Sequence, residues 1–163
     1  KVSVIPCGVN LELFRPLDRT LARRELGWAP EIPLEQTLDD ILTDWRGRVA
    51  ECTSGNIFFV KGTELHAPTP DCFLDGITRR TVMELAAKRG YTCIDRVIMP
   101  EELKDFDECF MVGTAAEVTP VRELDDRQIG IGSRGPITEK VQTAYFDAVR
   151  GVGSPDAKWL AVV

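Results

Sequence analysis

Asp107-Glu108-Cys109-Phe110-Met111-Val112 runs into Gly113-Thr114-Ala115-Ala116-Glu117 and then into Val118-Thr119-Pro120-Val121. Residues 108–112 read as a buried strand, because a short apolar run closed by a glycine-containing turn suits the interior of a sheet. Residues 118–124 read as another. The small residues between them let the backbone approach a ligand closely, and Thr114 offers both a hydroxyl and an N–H there.

Working back from this stretch, Pro100-Glu101-Glu102 predicts a short helix, with proline at its first position and acids where they suit the helix dipole. Residues 91–98 predict a strand. Residues 78–89 predict a helix with Val82, Leu85 and Ala86 on one face and Gly90 just past its end. Pro68, Pro70 and Asp71 mark a loop. Two hairpins precede it: residues 57–60 with 65–67 across Lys61-Gly62-Thr63, and residues 41–44 with 48–52 across Trp45-Arg46-Gly47.

Downstream, a helix opens at Pro136, carries Ile137, Val141, Ala144, Tyr145 and Ala148 at helical spacing, and closes at Gly151. Strands and helices mix without strict βαβ alternation, so the class is α+β. The first thirty residues differ in character: a strand at 2–6, a turn at 8–10 and a helix at 18–26 stopped by Gly27. Pro30 and Pro33 forbid continued helix and favour an extended connector. The expected organisation is a short strand-helix segment at 1–30, a connector at 31–37 and the main unit at 38–163.

The 163 residues suffice for one well-buried core. No apolar run reaches the roughly 18 residues of a membrane span. A net charge of −6 with scattered Lys and Arg argues against nucleic-acid or anionic-membrane partners. A cytoplasmic protein is expected. Five cysteines without CxxC spacing predict reduced, buried thiols, and a single histidine, His66, argues against a metal site.

Three places set short polar residues and glycine at the ends of apolar elements. Leu74-Asp75-Gly76-Ile77-Thr78-Arg79-Arg80 opens a helix, whose unpaired N–H groups and positive dipole end attract an anion such as phosphate. Gly113-Thr114-Ala115-Ala116 is placed to clamp the same anion. Glu51, beside Cys52-Thr53-Ser54-Gly55-Asn56, offers a carboxylate that stabilises a protonated heterocyclic nitrogen. Taken singly these are a helix cap, a strand-end turn and a solvated charge; their joint order gives them weight. Arg79, Arg80 and Arg134 read as solvated cations, and Tyr145, Phe146 and Trp159 as core or interface residues.

Residues 40–160 resemble the C-terminal part of branched-chain amino acid aminotransferases. The resemblance rests on Gly47-Arg48-Val49-Ala50-Glu51 with Asn56-Ile57-Phe58, on Pro68-Thr69-Pro70-Asp71-Cys72-Phe73-Leu74-Asp75-Gly76-Ile77-Thr78-Arg79, on Met99-Pro100-Glu101-Glu102-Leu103, and on the opening stretch 107–121. It implies the large domain of a fold-type IV enzyme like D-amino acid aminotransferase, with a mixed sheet or pseudo-barrel flanked by helices. It further implies pyridoxal 5′-phosphate as cofactor: Glu51 on the ring nitrogen, Leu74 beside the ring, Ile77 and Thr78 on the phosphate, and Thr114 and Ala115 as a further phosphate contact. Ala115 and Ala116 would border the substrate carboxylate. The implied reaction moves an amino group from leucine, isoleucine or valine to 2-oxoglutarate, in a homodimer, as part of branched-chain amino acid biosynthesis.

The family's Schiff-base lysine precedes the strand that holds the ring-nitrogen glutamate, and here no lysine lies between Lys1 and Lys61. The implied catalytic residue is therefore not identified, and the family's small N-terminal domain is expected to be absent. Residues 4–16, with Ala22-Arg23-Arg24-Glu25-Leu26-Gly27, instead resemble a segment of GT-B retaining glycosyltransferases, which points to a chimera joined near residues 30–37. Alternative readings are a non-catalytic domain keeping a phosphate site, a lyase acting on aminodeoxychorismate, and a glycosyltransferase fragment.

Overall fold

The computed structural model describes residues 2–4, 43–52, 55–124 and 127–152. The expected turn at 8–10, helix at 18–26, connector at 31–37 and tail at 156–160 lie outside the described residues. The fold is α+β. Its strands are β1 (Val2–Val4), β2 (Asn56–Lys61), β3 (Glu64–Pro68), β4 (Thr92–Arg96), β5 (Glu108–Gly113), β6 (Glu117–Leu124) and β7 (Arg127–Gln128). Among the described residues two helices, α1 (Ile77–Lys88) and α2 (Pro136–Arg150), accompany them, with a 3₁₀ helix at Pro100–Asp105.

The sheet order is β1-β6-β5-β2-β3-β4, with β7 on β6. Among the described strands only β3 and β4 pair in parallel, and α1 forms the crossover between them. The 57–67 hairpin forms with Lys61 opposite Glu64, so the turn is the two residues Gly62-Thr63, and the strand continues through Pro68, where a loop was expected. Of the expected 41–52 hairpin, residues 41–42 lie outside the described residues; Thr43 bridges Val49, and Asp44 N donates to the Arg48 carbonyl at 2.7 Å. There the Asp44 carboxylate also accepts from Arg46 N and Arg48 N at 2.8 and 3.0 Å, so a side chain helps to organise the turn.

Strand β2 is central because both its faces are apolar. Ile57 and Phe59 join a cluster with Val49, Ile98, Phe106 and Cys109. Phe58 and Val60 point the other way, into Leu65, Val82, Phe110 and Val141, where the helices cover the sheet. Phe58 stacks on Phe110 at 5.1 Å and Phe59 on Phe106 at 5.0 Å, each pair adding about 0.5–1.5 kcal/mol beyond area burial.

The α2 start is closed by protein. Glu108 of β5, itself buried, accepts from Ile137 N at 2.9 Å and Thr138 N at 2.7 Å, so a carboxylate fills the anion position at that helix end. Among the described cysteines, Cys52 and Cys109 are buried as expected, whereas Cys72 is exposed because its segment is a surface loop. Burial pushes the Cys52 thiol up to about 12.

Candidate functional site

A cleft of about 390 Å³ opens where β2 begins and β5 ends. Its lining is Glu51, Gly55, Asn56, Leu74, Gly76, Ile77, Thr78, Val112, Gly113 and Thr114. The three stretches singled out in the sequence therefore meet in one concavity, of the size that small ligands occupy. Ala115 and Ala116 stand just beyond the lining, on the turn that carries Thr114.

Strand pairing explains the floor. Asn56 pairs with Val112 in the antiparallel β2–β5 ladder, so the residues just before β2 and just after β5 must emerge side by side. Gly55 is required there, since a Cβ at that position would stand 2.5 Å from the Val112 carbonyl oxygen.

The wall is the loop that leads into α1, held by side chains. Asn56 donates through Nδ2 to the Leu74 carbonyl at 2.9 Å, and a Cβ on Gly76 would collide with its Oδ1. Arg48 donates to both oxygens of Asp71 at 3.0 and 2.9 Å. Arg79 was expected to be solvated, yet it is 2 % exposed: it meets Asp75 at 2.8 Å, Asp95 and the Pro68 carbonyl, and so pins the first turn of α1 to the ends of β3 and β4. Its partners lie 4 and 16 residues away, a spread that the sequence does not flag. Arg80 and Arg134 are exposed as expected.

Gly76 is the N-cap of α1, in extended conformation, and no side chain caps this end. Gly76, Ile77 and Thr78 line the cleft, so the uncapped start of α1 borders it, in contrast to α2, where Glu108 occupies the equivalent position. Leu74 and Ile77 are 78 % and 77 % exposed, so the mouth of the cleft is apolar. Burial pushes the Glu51 carboxyl above its ordinary pKa. This environment disfavours the anion until an opposite charge arrives.

No lysine lines the cleft among the described residues. Lys61 donates to the Asp105 carbonyl and lies 3.6 Å from Asp107; Lys88 pairs with Glu84 at 3.1 Å on α1. Lys104 and Lys140 ride on the 3₁₀ helix and on α2. A separate small hollow holds Asp44, Asp71 and Cys72, whose ligand atoms lie within 4.8 Å of one another. Arg46 and Arg48 already neutralise both carboxylates there.

Asn56 was not among the binding residues expected from the sequence, whereas Tyr145, expected as a core or interface residue, packs half-buried against the core cluster on the helix side of the sheet. The signal for Asn56 was present, since a polar residue opening an apolar strand must be paired when buried.

The family described as amino-transferase class IV matches residues 34–124. The branched-chain-amino-acid aminotransferase of Pseudomonas aeruginosa is 46% identical over 123 residues, covering 76% of this chain and 40% of that protein. The probable branched-chain-amino-acid aminotransferase of Aquifex aeolicus is 46% identical over 125 residues, with the same shares. The chain thus spans about 40% of the length of these curated relatives. Among solved structures, the Thermoproteus uzoniensis branched-chain aminotransferase with norvaline is 40% identical with a TM-score of 0.68, covering 72% of this chain and 39% of that one. The T.th. branched-chain amino acid aminotransferase complexed with N-(5′-phosphopyridoxyl)-L-glutamate is 39% identical with a TM-score of 0.72, covering 74% and 41%.

Proposed function

The chain belongs to the class IV aminotransferases, and from that membership we propose that it is the cofactor-holding part of a branched-chain amino acid aminotransferase, seating pyridoxal 5′-phosphate between Glu51, Thr78 and Thr114. The observation that carries this reading is the convergence of those three groups in one cleft. The fit is chemical as well as spatial: an uncapped helix start suits a phosphate, and glycines at 55 and 76 keep the floor and wall open.

When bound, the cofactor supplies the electron sink for amino transfer between a branched-chain amino acid and 2-oxoglutarate. The protein's own work is to orient and to set charge. Ile77 N–H, Thr78 and Thr114 would hold the phosphate, and Leu74 would border the ring. Glu51 keeps the ring nitrogen protonated; the cation so retained draws the Glu51 carboxyl back down from the raised pKa that burial imposes. Ala115 and Ala116 leave room for the substrate carboxylate. The described lysines, 61, 88, 104 and 140, lie off the cleft.

Titration of the protein with pyridoxal 5′-phosphate, followed by absorbance, tests the reading. A saturable spectral shift that inorganic phosphate competes away is expected, and borohydride treatment before peptide mass spectrometry leaves those four lysines unmodified. Absence of any shift up to millimolar cofactor would sink it. In the same reading the protein works in the cytoplasm as a homodimer, which light scattering checks. Residues 31–37 join a segment of separate origin at 1–30 to the unit at 38–163, and limited proteolysis within 31–37 checks that boundary.

A further inference from the structure

The start of α1 has an acid beside it that leaves it uncapped. Gly76 holds the N-cap position and has no side chain to offer, and Asp75 is the only acid within three residues of it in sequence. A carboxylate at a helix start is a strong partner for the free amides and the dipole, as Glu108 is at α2. Yet no side chain bonds to the α1 end, Asp75 included.

The Asp75 carboxylate is engaged elsewhere. Buried Arg79, in the first turn of α1, donates through Nη1 to Asp75 Oδ1 at 2.8 Å. The other arm of its fork, Nη2, reaches the Pro68 carbonyl at 3.3 Å and the Asp95 carboxylate of β4. Anchored in this way to the ends of β3 and β4, the guanidinium holds Asp75 from a fixed point. Arg80 lies 3.8 Å from the other Asp75 oxygen, but it is an exposed side chain and contributes little.

A released Asp75 would work against an anion at this helix start in two ways, by like-charge repulsion and by competing for the same amides. We infer that Arg79 is a positioning residue for phosphate binding: by drawing the Asp75 carboxylate toward the sheet, it keeps the start of α1 free for a phosphate in the cleft. The inference rests on the cleft being a pyridoxal 5′-phosphate site. It gives an ion pair that lines no part of the cleft a role in filling it. A tie that served the fold alone would matter equally with and without the phosphate, and removing Asp75 would not repair its loss.

The test compares pyridoxal 5′-phosphate with pyridoxal, which lacks the phosphate, by fluorescence titration. The proteins are the full chain, Arg79→Gln, Arg79→Lys, Asp75→Asn and each Arg79 variant combined with Asp75→Asn. Arg79→Gln weakens pyridoxal 5′-phosphate by about three- to tenfold, the scale of one partly screened like charge near the phosphate, and pyridoxal by less than about twofold. Adding Asp75→Asn restores the cofactor to within about twofold of the parent chain, because the acid that Arg79 restrains is gone. The inference is overturned if Arg79→Gln binds the cofactor as tightly as the parent, if it loses pyridoxal equally, or if Asp75→Asn fails to restore it. It is also overturned if Asp75→Asn alone tightens the cofactor as much as Arg79→Gln weakens it, since Arg79 then restrains nothing. Should Arg79→Gln not fold, Arg79→Lys is read by the same criteria, because lysine keeps a buried cation but has no fork to span Asp75 and Asp95. If neither folds, the pair serves the fold alone and the inference falls. If the parent chain binds neither compound, the cofactor reading falls first and takes this one with it.

Discussion

Glu51 illustrates how a single side chain can be tuned against its own charge. Its pKa is raised by burial, so the folded state holds a proton that the unfolded chain would release, and this contribution to stability fades as pH rises through the raised value. Glu51→Gln should flatten that decline in the ligand-free protein while weakening pyridoxal 5′-phosphate by about ten- to hundredfold, the worth of a charge-assisted hydrogen bond. Asp44 behaves in the opposite sense. Desolvation works upward, but hydrogen bonds from Arg48 and Arg46 outweigh it and hold the carboxyl at about 2, below its ordinary 3.8. Its stabilisation is complete above the ordinary value and is lost as pH falls toward about 2, so Asp44→Asn should remove part of the acid unfolding between those limits in a circular-dichroism pH titration. At this scale Glu51, Thr78 and Thr114 were legible in the sequence because each stands where an apolar element ends. Arg79 was not, since its burial depends on Asp95 across the sheet, and Cys72 was misjudged because its neighbours mark a surface loop.

Elements were legible where period and punctuation agree. The helix expected at 78–89 appears at Ile77–Lys88 with Gly90 at φ 84 beyond it, and the last helix opens at Pro136 and closes on Gly151 at φ 70. Of the expected 41–52 hairpin the described part keeps the Thr43–Val49 bridge, and its turn is organised as much by the Asp44 carboxylate as by backbone bonds. What sequence could not reveal is how helix starts are completed, because the groups that do so come from other elements. Glu108 lies 29 and 30 residues from the two N–H groups it receives. Glu108→Ala should therefore lower stability by about 1–3 kcal/mol in urea unfolding, since two buried donors lose their acceptor. Its urea dependence should keep the parental slope.

For the whole molecule, fold class was accessible from sequence, and so were the candidate residues that share one cleft, whereas the way the two faces of β2 divide the core into two clusters emerges only from the register of the sheet. Ligand saturation should be felt globally. At a hundredfold excess over Kd, binding adds about 2.7 kcal/mol, which raises the midpoint of thermal unfolding by about 5–10 °C for a chain of this size. Calorimetry with pyridoxal 5′-phosphate checks that rise, and Glu51→Gln should reduce it. The pairing of Asn56 with Val112 carries a further consequence. The floor of the cleft is a stretch of the central ladder, while its wall is a loop tethered by side chains. Backbone amides along that ladder should be among the last to trade hydrogen for deuterium, with or without an occupant, and occupancy should slow the trade chiefly at residues 74–78. A binding site of this kind cannot melt on its own: its base disappears only when the whole chain comes apart.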